Sequence, residues 1–176
     1  DLCTLCGSDL HTYQGDRQVA CPTVLGHEMV GRLVAMGSDA PQQDSNGMPI
    51  EVGDRLTWSI TAFCGKCFFC QHGLPQKCTE LYKYGHQLHD PGHPLSGGLA
   101  DHCQLVKGTT LIKVPEGLAD EVVAPASCAT ATVAGACRVA GVGDGMSVLI
   151  QGAGMLGLTA VAMARQLGAR EVLVSD

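Results

Sequence analysis

Ser147-Val148-Leu149-Ile150-Gln151-Gly152-Ala153-Gly154-Met155-Leu156-Gly157 is the stretch whose reading decides the architecture of the C-terminal part of the chain. It joins a short apolar run to a G-x-G-x-x-G turn. Residues 155–167 then carry apolar side chains at helical spacing as far as Gly168, a residue suited to close a helix. Glu171–Ser175 reads as a second strand. Strand, glycine-rich turn, helix and strand in that order predict one parallel crossover unit. Alone, the hexapeptide fits any helix start built from small residues. Between a strand and a helix it predicts a dinucleotide site, with pyrophosphate on the helix N-terminus beside Gly152, Gly154, Met155, Leu156 and Gly157. Asp176 follows Gly152 by 24 residues at the end of the second strand. It is either an ordinary turn residue or the acidic residue, about 20 positions on, that engages the ribose hydroxyls and favours NAD over NADP. The second reading is preferred.

Upstream the pattern changes to short β segments between Gly, Pro and Asp. Residues 29–36, 55–60, 100–106 and 111–114 read as strands. Residues 41–49, centred on Asn46-Gly47, read as a surface turn. Residues 84–98, rich in His, Pro and Gly, read as an irregular loop. Residues 119–140 are Ala-rich with helical spacing and contain Cys128.

The chain has ten cysteines among 176 residues, and without a secretory context metal binding is favoured over disulfides. Cys64, Cys67, Cys70 and Cys78 form C-x2-C-x2-C-x7-C. Four thiolates can surround one zinc ion tetrahedrally, and four ligands leave no open position, so the site is expected to be structural. Gaps of two residues disfavour mutual disulfides. An iron–sulfur cluster also uses C-x2-C-x2-C, but its fourth cysteine usually follows after three residues and precedes Pro, whereas here Thr79 follows Cys78. Cys3, Cys21, Cys103 and Cys137 are expected simply to pack.

Two other polar knots are Cys6-Gly7-Ser8-Asp9-Leu10-His11 and Gly26-His27-Glu28. A lone His in an apolar segment is more often a hydrogen-bonded core residue than a ligand. Together with Cys128, however, Cys6 and His27 make a Cys2His set, the pattern of a catalytic zinc with one position open. Asp9 is placed to accept the other imidazole N–H of His27.

Hydrophobic residues make up 45% and charged residues 16% of the chain, an ordinary globular composition. The net charge is -6 and Lys and Arg form no cluster, which argues against a nucleic-acid partner. The uncharged stretch of residues 122–137 contains Pro125 and many small residues and is too short and polar to span a bilayer. A cytoplasmic protein with no membrane partner is expected. The chain opens without Met and inside a motif, so further residues are expected before it.

Taken in order, these motifs resemble the medium-chain dehydrogenase/reductase family, the zinc alcohol dehydrogenases, over essentially the whole chain. The resemblance implies an α/β protein: a GroES-like β catalytic domain over 1–128 with its zinc loop at 64–78, then the start of a Rossmann, doubly wound NAD-binding domain over 129–176, truncated at both ends. It implies that Cys6, His27 and Cys128 bind the catalytic zinc, that Glu28 is the acidic neighbour able to approach it, and that Ser8 and His11 form a proton relay. It implies two zinc ions per intact subunit, NAD in preference to NADP, a small alcohol, polyol or carbonyl substrate, and a homodimer or homotetramer. A narrower likeness, to the alcohol dehydrogenases associated with phosphonate catabolism, rests on Val52-Gly53-Asp54-Arg55-Leu56-Thr57-Trp58-Ser59, Gly73-Leu74-Pro75-Gln76-Lys77-Cys78, Lys83-Tyr84-Gly85-His86 and Cys128-Ala129-Thr130-Ala131-Thr132. Family members continue into the half of the Rossmann sheet that holds the nicotinamide, so these 176 residues by themselves are not expected to turn over alcohol. From another class, a non-enzymatic zinc-binding or electron-transfer module built on the four-cysteine loop stays open. A zinc-free quinone-reductase-like relative would lack the Cys6, His27 and Cys128 set.

Overall fold

Met29 and Val30 are neighbours in sequence but belong to different cores. Met29 packs with Ile50, Leu56, Trp58 and Tyr84, and Val30 with Val114, Val123 and Ala124. Successive side chains of a strand point to opposite faces, so this split marks a sheet covered on both sides. The computed structural model describes residues 1–176 as two compact units, Asp1–Ser127 and Cys128–Asp176.

The first unit is built on a five-stranded sheet. Strands β1 (Leu2–Thr4), β2 (Glu28–Arg32), β3 (Arg55–Ala62) and β4 (Tyr82–Lys83) lie side by side in that order, and β5 (Thr109–Lys113) also pairs with β3. Every pairing is antiparallel, with Thr4 opposite Glu28, Val30 opposite Thr57 and Trp58 opposite Leu111. Helix α1 (Gly7–Gln14) links β1 towards β2, and the one-turn helix α2 (Phe68–Gln71) lies in the cysteine loop. A second one-turn helix, α3 (Asp120–Val123), runs into a 3-10 turn, Ala124–Ser127, which packs against β2.

Several strand expectations change. Strand β2 stops at Arg32 rather than at residue 36, because its partner begins at Arg55; Leu33 exchanges hydrogen bonds with the turn at Gly53 and Asp54 instead. Residues 100–106 form no strand. Their backbone groups are satisfied elsewhere: the Gln104 N–H donates to the Leu95 carbonyl at 2.9 Å and the Val106 N–H to Tyr84 Oη at 2.8 Å. The fourth expected strand lies slightly earlier, over Thr109–Lys113. The turn at 41–49 is organised by Asp44, whose Oδ1 accepts the N–H groups of Asn46 and Met48. Of the four remaining cysteines, Cys137 is buried, Cys3 and Cys103 line the first core, and Cys21 is exposed rather than packed.

In the second unit, helix α4 (Ala129–Ala140) packs on α5 (Met155–Gln166), which covers strands β6 (Ser147–Gln151) and β7 (Glu171–Ser175). The two strands are parallel, from Ser147 opposite Glu171 to Gln151 opposite Ser175. The helix expected over 119–140 is interrupted at Pro125, which has no N–H to continue the hydrogen-bond ladder. No single helix is long and apolar enough to cross a membrane.

Candidate metal centres and the glycine-rich turn

The four-cysteine loop is a local structure. Gly65, at φ +72°, takes a left-handed conformation that L-residues adopt poorly and makes the knuckle between Cys64 and Cys67. Cys67 precedes α2, and a 3-10 turn, Pro75–Lys77, delivers Cys78. The four ligand sulfurs lie within 4.8 Å of one another, and none is in a disulfide. Backbone donors already point at the sulfurs, since Cys78 Sγ accepts the N–H groups of Cys64 and Glu80, each at 3.3 Å. The N–H groups of Cys70 and Thr79 pull the Cys67 thiol down to about 6, whereas burial and the Cys67 sulfur, 3.4 Å away, push Cys70 up to about 12. Four thiols crowded together cannot all ionise unless a cation offsets their repulsion. The donor set, its convergence and its N–H···S bonds fit a tetrahedral zinc with Zn–S of about 2.3 Å.

The second cluster is assembled from distant segments. Cys6 precedes α1, while His27 and Glu28 sit at the start of β2. Asp9, 1% exposed, ties the segments together. Its Oδ2 accepts the Cys6 N–H at 3.0 Å, and its Oδ1 accepts the Gly26 N–H at 3.2 Å and pairs with His27 Nδ1 at 3.1 Å. A buried carboxylate at Nδ1 fixes the proton there and leaves the Nε2 lone pair for a ligand. Nε2 faces Ser8 Oγ at 3.4 Å. Gly26, at φ +93°, has to be glycine, because a Cβ would stand 2.8 Å from Cys3 Sγ and from the Leu99 nitrogen. Ligand atoms of Cys6, His27 and Glu28 lie within 4.8 Å of one another, a span that admits the roughly 3.3–3.8 Å separating ligands on one tetrahedral zinc. His27 is 2% and Glu28 5% exposed. A thiol and an imidazole with a fixed tautomer, with a buried carboxylate beside them, fit a zinc ion.

Other expected residues are placed differently. Ser8 reaches the cluster, but His11, three residues along the same helix, stands exposed with Nδ1 3.3 Å from Asp16 Oδ2. The Ser127 hydroxyl donates to the His27 carbonyl at 3.4 Å. Cys128, the residue bonded to Ser127, opens the second unit and precedes α4. Sequence reasoning gave no site role to His86. Its ring centroid is 5.1 Å from that of His27, its Nδ1 has no hydrogen-bond partner, and burial first, then Lys83, His27 and Arg17, push its pKa down to about 4. The only signal was its place in Lys83-Tyr84-Gly85-His86.

In the second unit, α5 starts at Met155, directly after Gly154. Gly152 takes φ +101°, and its carbonyl lies 1.9 Å from where a Cβ on Gly157 would stand, so the third glycine permits the helix to pack against the turn. Asp176 Oδ1 accepts the Ala153 N–H at 2.9 Å, which puts this carboxylate at the turn itself.

Residues 1–116 match the family described as the alcohol dehydrogenase GroES-like domain. Over 176 aligned residues the chain is 31% identical to 5-exo-hydroxycamphor dehydrogenase from Pseudomonas putida, covering 98% of this chain and 47% of that protein. The crystal structure of an alcohol dehydrogenase from Thermotoga maritima superposes with a TM-score of 0.90 at 35% identity, covering 98% of this chain and 48% of that one. A zinc-binding dehydrogenase from Sinorhizobium meliloti bound to NADP gives 0.76 at 27% identity, covering 99% and 46%. The chain thus spans about half the length of the relatives it matches. It belongs to the zinc-type medium-chain alcohol dehydrogenase family, and its N-terminal part is that family's GroES-like domain.

Proposed function

We propose that the protein to which this chain belongs is a zinc-dependent oxidoreductase that moves a hydride between an alcohol or polyol and NAD. Cys6, His27 and Cys128 hold the catalytic zinc, and Cys64, Cys67, Cys70 and Cys78 hold a structural one. Zinc at the first site supplies Lewis acidity to the substrate oxygen. The observation that carries this reading is the triple tie of Asp9 to Cys6, Gly26 and His27, which presents a thiol and an imidazole nitrogen to one point. For Cys128, the support is the chain itself: Ser127 is anchored to the His27 backbone and Cys128 is the next residue.

The side chains divide the remaining work. Asp9 keeps the His27 proton on Nδ1. Ser8 Oγ, beside Nε2, accepts the alcohol proton and passes it outwards, and His11, on the exposed face of the same helix, receives it near solvent. Gly152, Gly154, Met155, Leu156 and Gly157 seat the pyrophosphate at the start of α5. Asp176 selects NAD over NADP by like-charge repulsion of a 2′-phosphate. The same reading makes the protein a cytoplasmic homodimer or homotetramer and places it with the dehydrogenases associated with phosphonate catabolism.

The test is His27→Ala in the intact protein, with metal content and NADH formation measured together. One zinc should be lost and one kept, and turnover should vanish. Retention of both metals with full turnover would falsify the assignment.

A further inference from the structure

Thr4 ends β1 directly opposite Glu28, the first residue of β2. Its hydroxyl donates to Glu28 Oε2 at 2.7 Å. Thr4 lies in none of the motifs that define the two metal centres, yet its partner is the carboxylate that stands beside the Cys6 and His27 ligand atoms.

We propose that Thr4 is a latch on Glu28. It is a positioning residue whose hydroxyl keeps the carboxylate out of the coordination sphere of a metal held at Cys6 and His27. The inference rests on the zinc site of the proposed function.

A carboxylate oxygen is a good zinc ligand at about 2.0–2.2 Å, and a site with three protein ligands keeps one position open. A buried carboxylate next to that position competes with substrate for it unless a donor holds one of its oxygens and fixes the group's orientation. Glu28 is 5% exposed, so water offers little competition for its oxygens. Thr4 suits the restraint because it is held by sheet register rather than by a loop, and a β-branched side chain has few rotamers. A hydrogen bond to a charged acceptor in such a setting is among the stronger ones.

The experiment uses the intact protein with Co²⁺ in the Cys6 and His27 site and zinc in the cysteine loop. Thr4→Val keeps the shape and removes the donor, whereas Thr4→Ser keeps the donor. Thr4→Val should weaken and shift the cobalt ligand-field bands, as a higher coordination number does. It should also lower the affinity for added imidazole at the open position by about tenfold, the scale of one charge-assisted hydrogen bond. Thr4→Ser should match the parent protein. Adding Glu28→Gln to Thr4→Val should restore the parent spectrum, because an amide is a poor competitor. The latch is overturned if Thr4→Val leaves both spectrum and imidazole affinity unchanged, or if Thr4→Ser behaves like Thr4→Val. If the parent protein takes up metal only in the cysteine loop, the zinc-site reading fails and the latch falls with it. Two metals in the parent with an unresponsive Thr4→Val would sink the latch alone.

Discussion

The cysteine loop and the Cys6–His27–Glu28 pocket are built from similar donors in opposite ways. In the loop every ligand comes from one short stretch, and a glycine knuckle and two single turns aim the sulfurs at one another. In the pocket the donors come from the start of a helix and the start of a strand, and one buried carboxylate holds them in place. The loop therefore needs little beyond its own residues and a metal. The pocket needs the sheet, the register that puts Thr4 opposite Glu28, and Asp9. Damage to the first should appear in stability, and damage to the second in chemistry.

Cys78→Ser is the most severe test. It removes the buried sulfur that accepts the Cys64 and Glu80 N–H groups and one of the four proposed zinc ligands of the loop. Structural zinc in small domains contributes on the order of 10 kcal/mol, so loss of the site should cost more than about 4 kcal/mol and make the protein aggregate. Thermal unfolding and zinc content check this. An unchanged Tm with one zinc lost would show that the loop folds without its metal.

His27→Ala should act in the other direction. Turnover should fall by at least about a thousandfold, as expected when a group that stabilises developing charge is removed. Tm should move by only a few degrees. A large loss of stability with turnover preserved would erase the distinction between the two regions.

Asp9→Asn is milder and more informative. The aspartate offers two oxygens to three donors, on Cys6, Gly26 and His27. The asparagine offers one oxygen and turns an NH2 group towards a donor, leaving at least one buried N–H unsatisfied. Zinc affinity at the pocket should fall ten- to a hundredfold, the usual range for groups that orient a ligand, and the loop zinc should be unaffected. Competition with a chromophoric chelator measures both sites. An equal loss at both would mean that Asp9 supports the unit as a whole.

The same contrast explains what was legible in the sequence. The cysteine spacing and the β6–α5–β7 unit are short-range patterns, and the residues themselves display them. Helix α1 was not legible, because Gly7-Ser8-Asp9-Leu10-His11-Thr12-Tyr13-Gln14 carries no apolar stripe; Asp9 reaching back to the Cys6 N–H and Gly15 at φ +86° define its ends. Residues 100–106 carry a strand-like pattern, but a tyrosine hydroxyl and a loop carbonyl take their N–H groups. Asp9 was read as a partner of His27, and its bonds to Cys6 and Gly26 depend on how β1, α1 and β2 come together. His86 was missed for the same reason, since only the fold brings residue 86 against residue 27.

The glycine-rich turn lies between these extremes, a local motif completed by one residue from the far end of β7, and it carries the smallest predicted effect. Asp176 has two separable roles there. Its Oδ1 accepts the Ala153 N–H and braces the turn, and in the proposed function its charge opposes a 2′-phosphate. Asp176→Ala removes both, so NAD should bind more weakly and the preference for NAD over NADP should narrow. Asp176→Asn keeps an acceptor for Ala153 and removes only the charge. A carboxylate and a phosphate near the surface repel by roughly 1–4 kcal/mol, of which solvent and salt screen a part, so the ratio of kcat/KM for NAD to that for NADP should fall about tenfold or less. The two variants should share this fall, while Asp176→Asn should keep the parent KM for NAD more closely than Asp176→Ala. If the ratio moves only in Asp176→Ala, the bracing bond and not the charge governs cofactor choice. A parent enzyme that already prefers NADP, the cofactor bound to the Sinorhizobium relative, would overturn the assignment of Asp176 as the selecting residue.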